Sequence, residues 1–441
     1  MKILLVDRSG RGHAFADLFS HTNQEVTIYY APGCPAVATP RVISRPELSL
    51  ADPGPMVRFA ADEGVDMVFV ANTMALADGF VDAFRAAGLP VIGPDRAATR
   101  LESSKIYSKG LFARYGIPSP AYAAFDDPEA AREHVRRAPH RVVVKADGLC
   151  GGNGAFVCDD EAEAFAAIDR LMVERVFGDA GSRIVVEERI QGREVSFFVL
   201  LDGESYLLLP MGLDYQKSDD GNRGVISAGM GAISPHPLES AGLTARVEKE
   251  ILHPLLELIA REGLRYNGVI YLGCMLVDGE APQLLEINAR MGDPEAEVIF
   301  PRIETDFAGL CRTILDRKLG GASLALNDLC CCDVVATQGP TEGHPGWPFG
   351  AFSRHHPITG LEAVDPARCR VFLGEAQVLD GKGLVTDGGR AVHLVGLGKT
   401  VPEAVANAYE GIGHVRFEGL RYRSDIGRLM PWENRPWEGL L

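Results

Sequence analysis

The sequence predicts a multidomain α/β and α+β protein that ends in a small β-rich unit. Three observations predict it. Apolar strands alternate with helical patterns from Lys2 to Pro94. A proline-flanked stretch, "IPSPAY" (117–122), then interrupts the alternation. Beyond it, strands come in hairpin-like pairs with helices between them. The length of 441 residues accommodates roughly two to four domains at ~100–200 residues each.

The elements follow in order. "KILLVD", "EVTIYYA", "VDMVFVAN" and "LPVIGP" are strands. "GHAFADLFSH", "PGPMVRFAADEG" and "ADGFVDAFRAAG" are helices between them. That order implies parallel βαβ units in a doubly wound sheet, whose ligands sit at the carboxyl ends of the strands. Those ends are "DRSGRGHA" (7–14) and "ANTMALADG" (71–79). One helix, "AATRLESSKIYSKGLFARYG", leads to the proline stretch and closes a first unit over residues 1–120. A small α+β unit follows over 121–190. In it "RVVVKAD" and "GAFVCDD" form a hairpin-like pair around a glycine-rich loop, before helix "EAEAFAAIDRLMVERVFG" and strand "SRIVVEERI". A larger α+β unit over 191–325 carries "REVSFFVLLDG", "ESYLLLPMG", "GVIYLGCMLVDG" and "APQLLEINAR". The last unit, 326–441, holds "CCCDVVATQG", "CRVFLGEAQVLDG", "GLVTDGG", "AVHLVGLG" and a closing helix, "VPEAVANAYEGIGHV".

Composition narrows the function. The formal charge of −16 argues against a generic binder of nucleic acid, while leaving room for a local basic pocket. The N-terminal apolar run is too short for a signal peptide and reads as a strand. No apolar stretch approaches the ~20 residues that cross a bilayer. A cytoplasmic protein, monomer or homodimer, is expected. The nine cysteines read as buried thiols of a reducing compartment. Cys330, Cys331 and Cys332 alternate faces on a strand, which is poor geometry for one metal ion. Cys150 and Cys158, flanking the glycine-rich loop, read as structural thiols. His344, His355 and His356 lie amid Pro and Gly and read as a surface loop rather than a metal site.

The chemistry concentrates in a few segments. In "LLEINARMGDPE", Glu286, Asn288 and Arg290 are two apart and share a strand face. Glu286 and Asn288 offer hard oxygen donors of the kind that Mg²⁺ takes alongside nucleotide phosphates. Arg290 is placed to stabilise charge on an acyl phosphate or oxyanion. The bland alternative is a solvated strand face. In "IVVEERIQGREVSF" an apolar strand meets a charged corner. The backbone of Glu188 and Ile190 suits an adenine edge, Glu187 its exocyclic amine and Glu194 the ribose hydroxyls. Exposed acids remain the alternative there. Lys105, in "ESSKIYSK", and Lys145, which ends a strand before the glycines, read by themselves as solvated lysines. The loop itself, with Gly151, Gly152 and Asn153, lacks the Gly-Lys-Ser/Thr ending of a P-loop.

Together these segments resemble the ATP-grasp superfamily, and within it the phosphoribosylamine–glycine ligase (glycinamide ribonucleotide synthetase) family. The likeness covers nearly the whole chain. It rests on "GLPVIGPDRAATRLESSKIYSK", "VVVKADGLCGGNGAFV", "FGDAGSRIVVEERIQGREVSF", "AGMGAISP", "GVIYLGCMLVDG", "LLEINARMGDPEAE", "VTDGGRAVHLVGLG" and "GLRYRSDIG". The resemblance implies a Rossmann-like N-terminal domain, a two-part ATP-grasp fold with a small mobile lid, and a C-terminal domain. It implies ATP as cofactor, contacted by Lys105, Lys145, Gly151, Gly152, Asn153, Glu187, Glu188, Ile190 and Glu194. Mg²⁺ or Mn²⁺ would sit on Glu286 and Asn288. The implied reaction activates a small carboxylate as an acyl phosphate, which an amine attacks to give an amide, ADP and phosphate. Arg290 and Lys145 would serve that chemistry. Such a transfer needs positioning and charge neutralisation more than a covalent nucleophile.

The chain departs from the resembled pattern mainly where substrates are expected. The family's Gly-Gly-Arg-Glu-His-Ala loop is here Ser9-Gly10-Arg11-Gly12-His13-Ala14, and its Gly-Pro-Glu is Ala71-Asn72-Thr73. Asp214-Tyr215-Gln216-Lys217 and the run from Val225 to Gly231 also differ. Asn153 stands where lysine is usual, and Glu297 where glutamine is common. Arg8, Arg11 and His13 at a helix N-terminus are the candidates for an anionic substrate group, with Lys217 as a second candidate. Asp214 is the candidate for an ammonium, and Gly229 and Asp293 line the same side. Two readings stay open: the standard pair of substrates, or a different amine and carboxylate in a specialised pathway. A nucleotide-binding relative without catalysis is a third.

Overall fold

The computed structural model describes residues 1–279, 281–432 and 435–436. The remainder of the segment expected as the fourth unit, 433–434 and 437–441, lies outside the described residues.

The N-terminal alternation folds as its pattern requires. β1 (Lys2–Asp7), α1 (Gly10–Thr22), β2 (Thr27–Pro32), β3 (Val42–Ser44), α2 (Pro53–Asp62), β4 (Met67–Val70), α3 (Thr73–Ala77), α4 (Phe80–Ala86) and β5 (Val91–Ile92) follow in order. The strands make one parallel sheet in the order β3-β2-β1-β4-β5. The order reverses at β1, so a crevice opens where β1 and β4 end, at Asp7 and Asn72. β3 is the strand that the sequence pattern does not reveal, being only three residues long.

The helix expected to run without interruption from Ala97 to Gly116 is two helices, α5 (Arg96–Ser103) and α6 (Lys105–Tyr115). The break is at Ser104, which takes extended backbone and caps α6 by accepting from Tyr107 N–H. A serine competes for backbone groups where an alanine would have continued the helix.

The lid comprises β6 (Tyr122–Phe125), α7 (Pro128–Arg137), β7 (Val142–Ala146), β8 (Ala155–Val157), α8 (Glu161–Ile168) and β9 (Ile184–Glu188). Its antiparallel sheet has the order β6-β9-β7-β8. The glycine-rich loop joins β7 to β8, with Lys145 opposite Ala155. Next come β10 (Arg193–Leu201), β11 (Tyr206–Leu208), β12 (Leu213–Asp214), β13 (Lys217–Asp219), β14 (Arg223–Ile226), β15 (Gly231–Ser234), α9 (Ala241–Val247), α10 (His253–Arg261), β16 (Gly268–Val277), β17 (Ala281–Asn288), α11 (Glu295–Ile299) and α12 (Phe307–Leu315). Of these, β11-β10-β16-β17 form the second half of the cleft.

The last elements are β18 (Cys330–Gln338), β19 (Cys369–Leu373), β20 (Ala376–Leu379), β21 (Gly383–Thr386), β22 (Arg390–Gly398), α13 (Val401–Ile412) and β23 (Leu420–Arg421). Their sheet, β12-β15-β18-β22-β19 with β23 on β18, takes two strands from the preceding segment. Sequence order therefore hides one join: β15 lies beside β18, with Gly231 opposite Val334. An aromatic cluster makes another. Phe15 of α1 packs 4.7 Å from Phe69 and 4.6 Å from Phe300 between ring centroids, and Phe19 packs 5.3 Å from Phe307. Each ring buries well over 100 Å², so this cluster fixes the middle of α1 against β4 and against the segment from Phe300 to Phe307.

Candidate active site

The nucleotide half of the cleft is built on a buried charge network. Lys145, near the end of β7, meets Glu187 Oε2 of β9 at 2.8 Å. Lys109, four residues after Lys105 on α6, reaches Glu187 Oε1 at 3.2 Å and donates to Ser119 Oγ at 2.7 Å. Both lysines and Glu187 are buried. Burial pushes Glu187 up, but Lys145 and Lys109 outweigh it and hold the carboxyl below its ordinary value. Burial brings Lys109 down to about 8, against the pull of Glu187. Sequence reasoning missed Lys109, although its i, i+4 spacing from Lys105 put both on one helix face.

Asp147 explains how α6 is aimed. Its Oδ1 accepts from Ser104 Oγ and from Ile106 N–H, both at 2.9 Å, and its Oδ2 accepts from Arg183 at 2.6 Å. The residue two after Lys145 thus holds the first turn of α6, and Lys105 starts that turn. The break in the long helix positions a lysine.

Glu286, Asn288 and Arg290 form one chain of contacts. Arg290 Nη2 donates to Asn288 Oδ1 at 3.1 Å, and Asn288 Nδ2 donates to Glu286 Oε1 at 3.5 Å. Burial raises Glu286, yet Lys105 and Lys145 outweigh it and keep the group ionised. The strand is not perfectly regular. A bulge between Gly273 and Cys274 of β16 leaves Leu285 without an opposite number, and Arg290 lies past the end of β17. Arg290 is steered there by Glu102, 3.4 Å away, and by Thr73 Oγ1, which accepts from its Nε at 3.2 Å. Glu102 also accepts from Ala289 N–H at 2.7 Å. This buried acid of α5 was not singled out in the sequence.

Several expected contacts are corrected. The Glu187 carboxylate already meets two lysines, Lys109 and Lys145. Glu188 donates its N–H to Ala121 O at 2.8 Å, so that donor is not free for a base edge. Ile190 lies just past β9, and Glu194 stands exposed at the start of β10. In the loop, Gly151 and Gly152 adopt φ of +58° and +83°, open to glycine at little cost. Asn153 donates to Gly151 O at 3.1 Å and so braces the loop internally. A Cβ on Gly152 would lie 3.0 Å from Ala228 Cβ, so the loop tip reaches across to the opposite half.

The substrate half differs. Asp214, Gly229 and the Asp293–Pro294 turn lie together: a Cβ on Gly229 would sit 2.8 Å from Asp214 Oδ1 and 2.4 Å from Pro294 Cδ. Asp214 Oδ1 is buried with no hydrogen-bond partner among the described residues. Burial, reinforced by Glu295, holds Asp214 well above the usual carboxylate range. Arg390 spans this floor. It meets Asp293 Oδ1 at 2.8 Å and donates to the carbonyls of Ala228 at 2.7 Å and Asp293 at 2.6 Å.

Arg11 and His13 are not placed to receive an anion. Arg11 is buried against Asp7 at 3.1 Å, and its backbone N–H donates to Asp293 Oδ2 at 3.3 Å. The start of α1 is therefore closed by the chain's own carboxylates. His13 accepts from Leu373 N–H at 2.9 Å and stacks edge-on against Phe372. Burial brings it down to about 4, so it is neutral. Lys217 faces Glu194 and donates to Gly224 O at 3.4 Å. The cysteines are free thiols, and burial pushes Cys158 up to about 11. No helix among the described residues is long and apolar enough to cross a membrane.

Comparison with known proteins places this architecture. The phosphoribosylglycinamide synthetase N domain matches residues 1–102, its ATP-grasp (A) domain 103–296 and its C domain 331–429. The chain is 36% identical to phosphoribosylamine–glycine ligase of Vibrio cholerae over 427 residues, covering 97% of this chain and 98% of the relative. It is 35% identical to the enzyme of that name from Archaeoglobus fulgidus, covering 98% and 100%. The crystal structure of phosphoribosylamine–glycine ligase from Thermotoga maritima superposes with a TM-score of 0.77 at 28% identity, covering 96% of this chain and all of that one. Biotin carboxylase of Campylobacter jejuni shares the fold alone, with a TM-score of 0.69 at 16% identity. Matched from end to end, the chain belongs to the phosphoribosylglycinamide synthetase family of ATP-grasp ligases.

Proposed function

We propose that the chain joins glycine to phosphoribosylamine at the expense of ATP, the reaction for which its relatives are named. The observation that carries this reading is the line of groups along one cleft: Lys105 and Lys145 around Glu286, then Asn288 and Arg290 in hydrogen-bonded sequence. ATP lies between the lid sheet and β16–β17, with Lys105, Lys145 and the backbone of Gly151 and Gly152 on its phosphates. Lys109 and Glu187 act from behind, holding Lys145 extended. The donor set of Glu286 and Asn288 fits a hard divalent ion, Mg²⁺ or Mn²⁺, which would neutralise charge on the transferring phosphoryl group.

The chain's own residues do the rest. Arg290, fixed by Glu102 and Thr73, holds the substrate carboxylate in line with the γ-phosphate and carries the charge of the acyl phosphate. Asp214 receives the ammonium of the amino acid. Closure of the 147–154 loop against Ala228 excludes water from the acyl phosphate until the amine attacks.

One observation favours a second reading. With Arg11 and His13 engaged internally, α1 offers little to a phosphorylated amine, which suits a different amine. Incubating the protein with Mg²⁺, ATP and a panel of amines and carboxylates separates the readings. Freshly generated phosphoribosylamine with glycine should give ADP and an amide of the matching mass. No amide from that pair, with amide from another, replaces the first reading with the second.

A further inference from the structure

A second cluster of ligand atoms lies under the substrate floor, with different neighbours from Glu286. Asp293 and Glu297 come from the turn after β17 and from α11, and His393 from β22. One carboxylate oxygen of each acid and one ring nitrogen of His393 all lie within 4.8 Å of one another. Glu297 and His393 are fully buried and Asp293 is 8% exposed. Both oxygens of Glu297, Nε2 of His393 and Oδ1 of Asp293 lack a hydrogen-bond partner among the described residues. So many orphaned polar atoms converging on one point is costly unless something joins them. Asp293 Oδ1 has only its ion pair with Arg390, and His393 Nε2 stands 3.7 Å from it.

Two features suit a metal ion. His393 Nδ1 is bonded to Asp333 Oδ2 at 2.7 Å. That carboxylate–histidine pair fixes the ring so that Nε2 points at the other ligands, the usual support of a metal-bound histidine. The second feature is the donor set: two carboxylates and an imidazole meet at one point with orphaned oxygen and nitrogen atoms. Gly10, at the start of α1, keeps the space open: a Cβ there would lie 2.6 Å from Glu297 Oε1 and 2.7 Å from His393 Nε2.

We propose that Asp293, Glu297 and His393, supported by Asp333, bind one divalent transition-metal ion. Two carboxylates and an imidazole suit Zn²⁺, Co²⁺ or Mn²⁺ better than Mg²⁺. The ion pins the turn from Arg290 to Pro294 onto the C-terminal sheet. It thereby fixes the residue that meets the substrate carboxylate.

The test uses the full chain, stripped with chelator and free of nucleotide, titrated with Co²⁺ in excess Mg²⁺. The expected result is one Co²⁺ per chain with visible ligand-field bands, displaced by Zn²⁺. Glu297→Gln and His393→Gln should weaken binding by about tenfold or more, whereas Glu286→Gln should leave it unchanged. Glu297→Gln keeps the shape of the side chain, and its near-ultraviolet circular dichroism checks that it folds. The proposal is overturned if the stripped protein takes up no Co²⁺. It is equally overturned if Glu297→Gln binds as the parent does, or if Glu286→Gln abolishes uptake. In those cases protons, or the nucleotide site, account for the cluster.

Discussion

The two ends of the cleft handle buried charge in opposite ways. At the nucleotide end, Lys105, Lys109, Lys145 and Arg290 sit among Glu102, Glu187 and Glu286, and the lysines hold Glu187 and Glu286 below their ordinary values. At the substrate end, Arg11 and Arg390 are engaged by Asp7 and Asp293, while burial pushes Asp214, Glu295 and Glu297 above the usual carboxylate range. One end presents cations to a polyanion. The other satisfies its cations internally and keeps an orphaned acid, Asp214, for a cationic group. The same contrast separates what each lysine and arginine does. Lys145 is held extended by its partner Glu187, whereas Arg11 is consumed by Asp7.

Substitutions break this contrast in graded ways. The largest effect is expected for Glu286→Gln, which removes the anionic oxygen donor while keeping the shape. By analogy with loss of one preorganised electrostatic group, kcat should fall by about 10²–10³. Steady-state turnover at saturating ATP and Mg²⁺ measures it, and an unchanged kcat would move the metal elsewhere. Lys145→Ala comes next. It removes a charge-assisted contact worth roughly 1.5–3 kcal/mol, so the KM for ATP should rise about tenfold or more. A KM equal to the parent's would remove Lys145 from the phosphates.

Lys109→Met sharpens the division between contact and support. Lys109 acts through Glu187, so the KM for ATP should change only a few-fold. The melting temperature should nevertheless drop, because half of a buried ion network is lost. A KM change as large as that of Lys145→Ala would make Lys109 a direct ligand.

The smallest effect concerns His13. Its pKa in the folded chain, about 4, lies below the unfolded value of ~6.5. The corresponding stability is therefore present above pH ~6.5 and is lost as pH falls through about 4. His13→Asn keeps an acceptor for Leu373 N–H without titrating. Its melting temperature should fall less steeply over that interval, with substrate KM unchanged at neutral pH. A raised KM would return His13 to the substrate site.

The fold was legible where periodicity was strong. The N-terminal alternation set the parallel sheet, and the strand–loop–strand pattern around the glycines set the β7–β8 pair. What escaped the sequence was tertiary. Nothing local marks Ser104 as a helix break until Asp147 is seen to bind it from 43 residues further along the chain. Lys109, Glu102, Arg390 and His393 acquire their partners only across elements far apart in sequence. Arg11 and His13 failed in the opposite sense. A helix N-terminus with basic residues reads as an anion site, but Asp7 and Asp293 reach it first.

The central claim is that the lysines of the nucleotide end drive phosphoryl transfer onto a carboxylate held by Arg290. Turnover with glycine labelled with ¹⁸O in its carboxylate tests it most directly. If an acyl phosphate forms, its collapse leaves one carboxylate oxygen on the released phosphate, so ¹⁸O-labelled inorganic phosphate should appear in step with amide. Unlabelled phosphate accompanying amide would contradict the account.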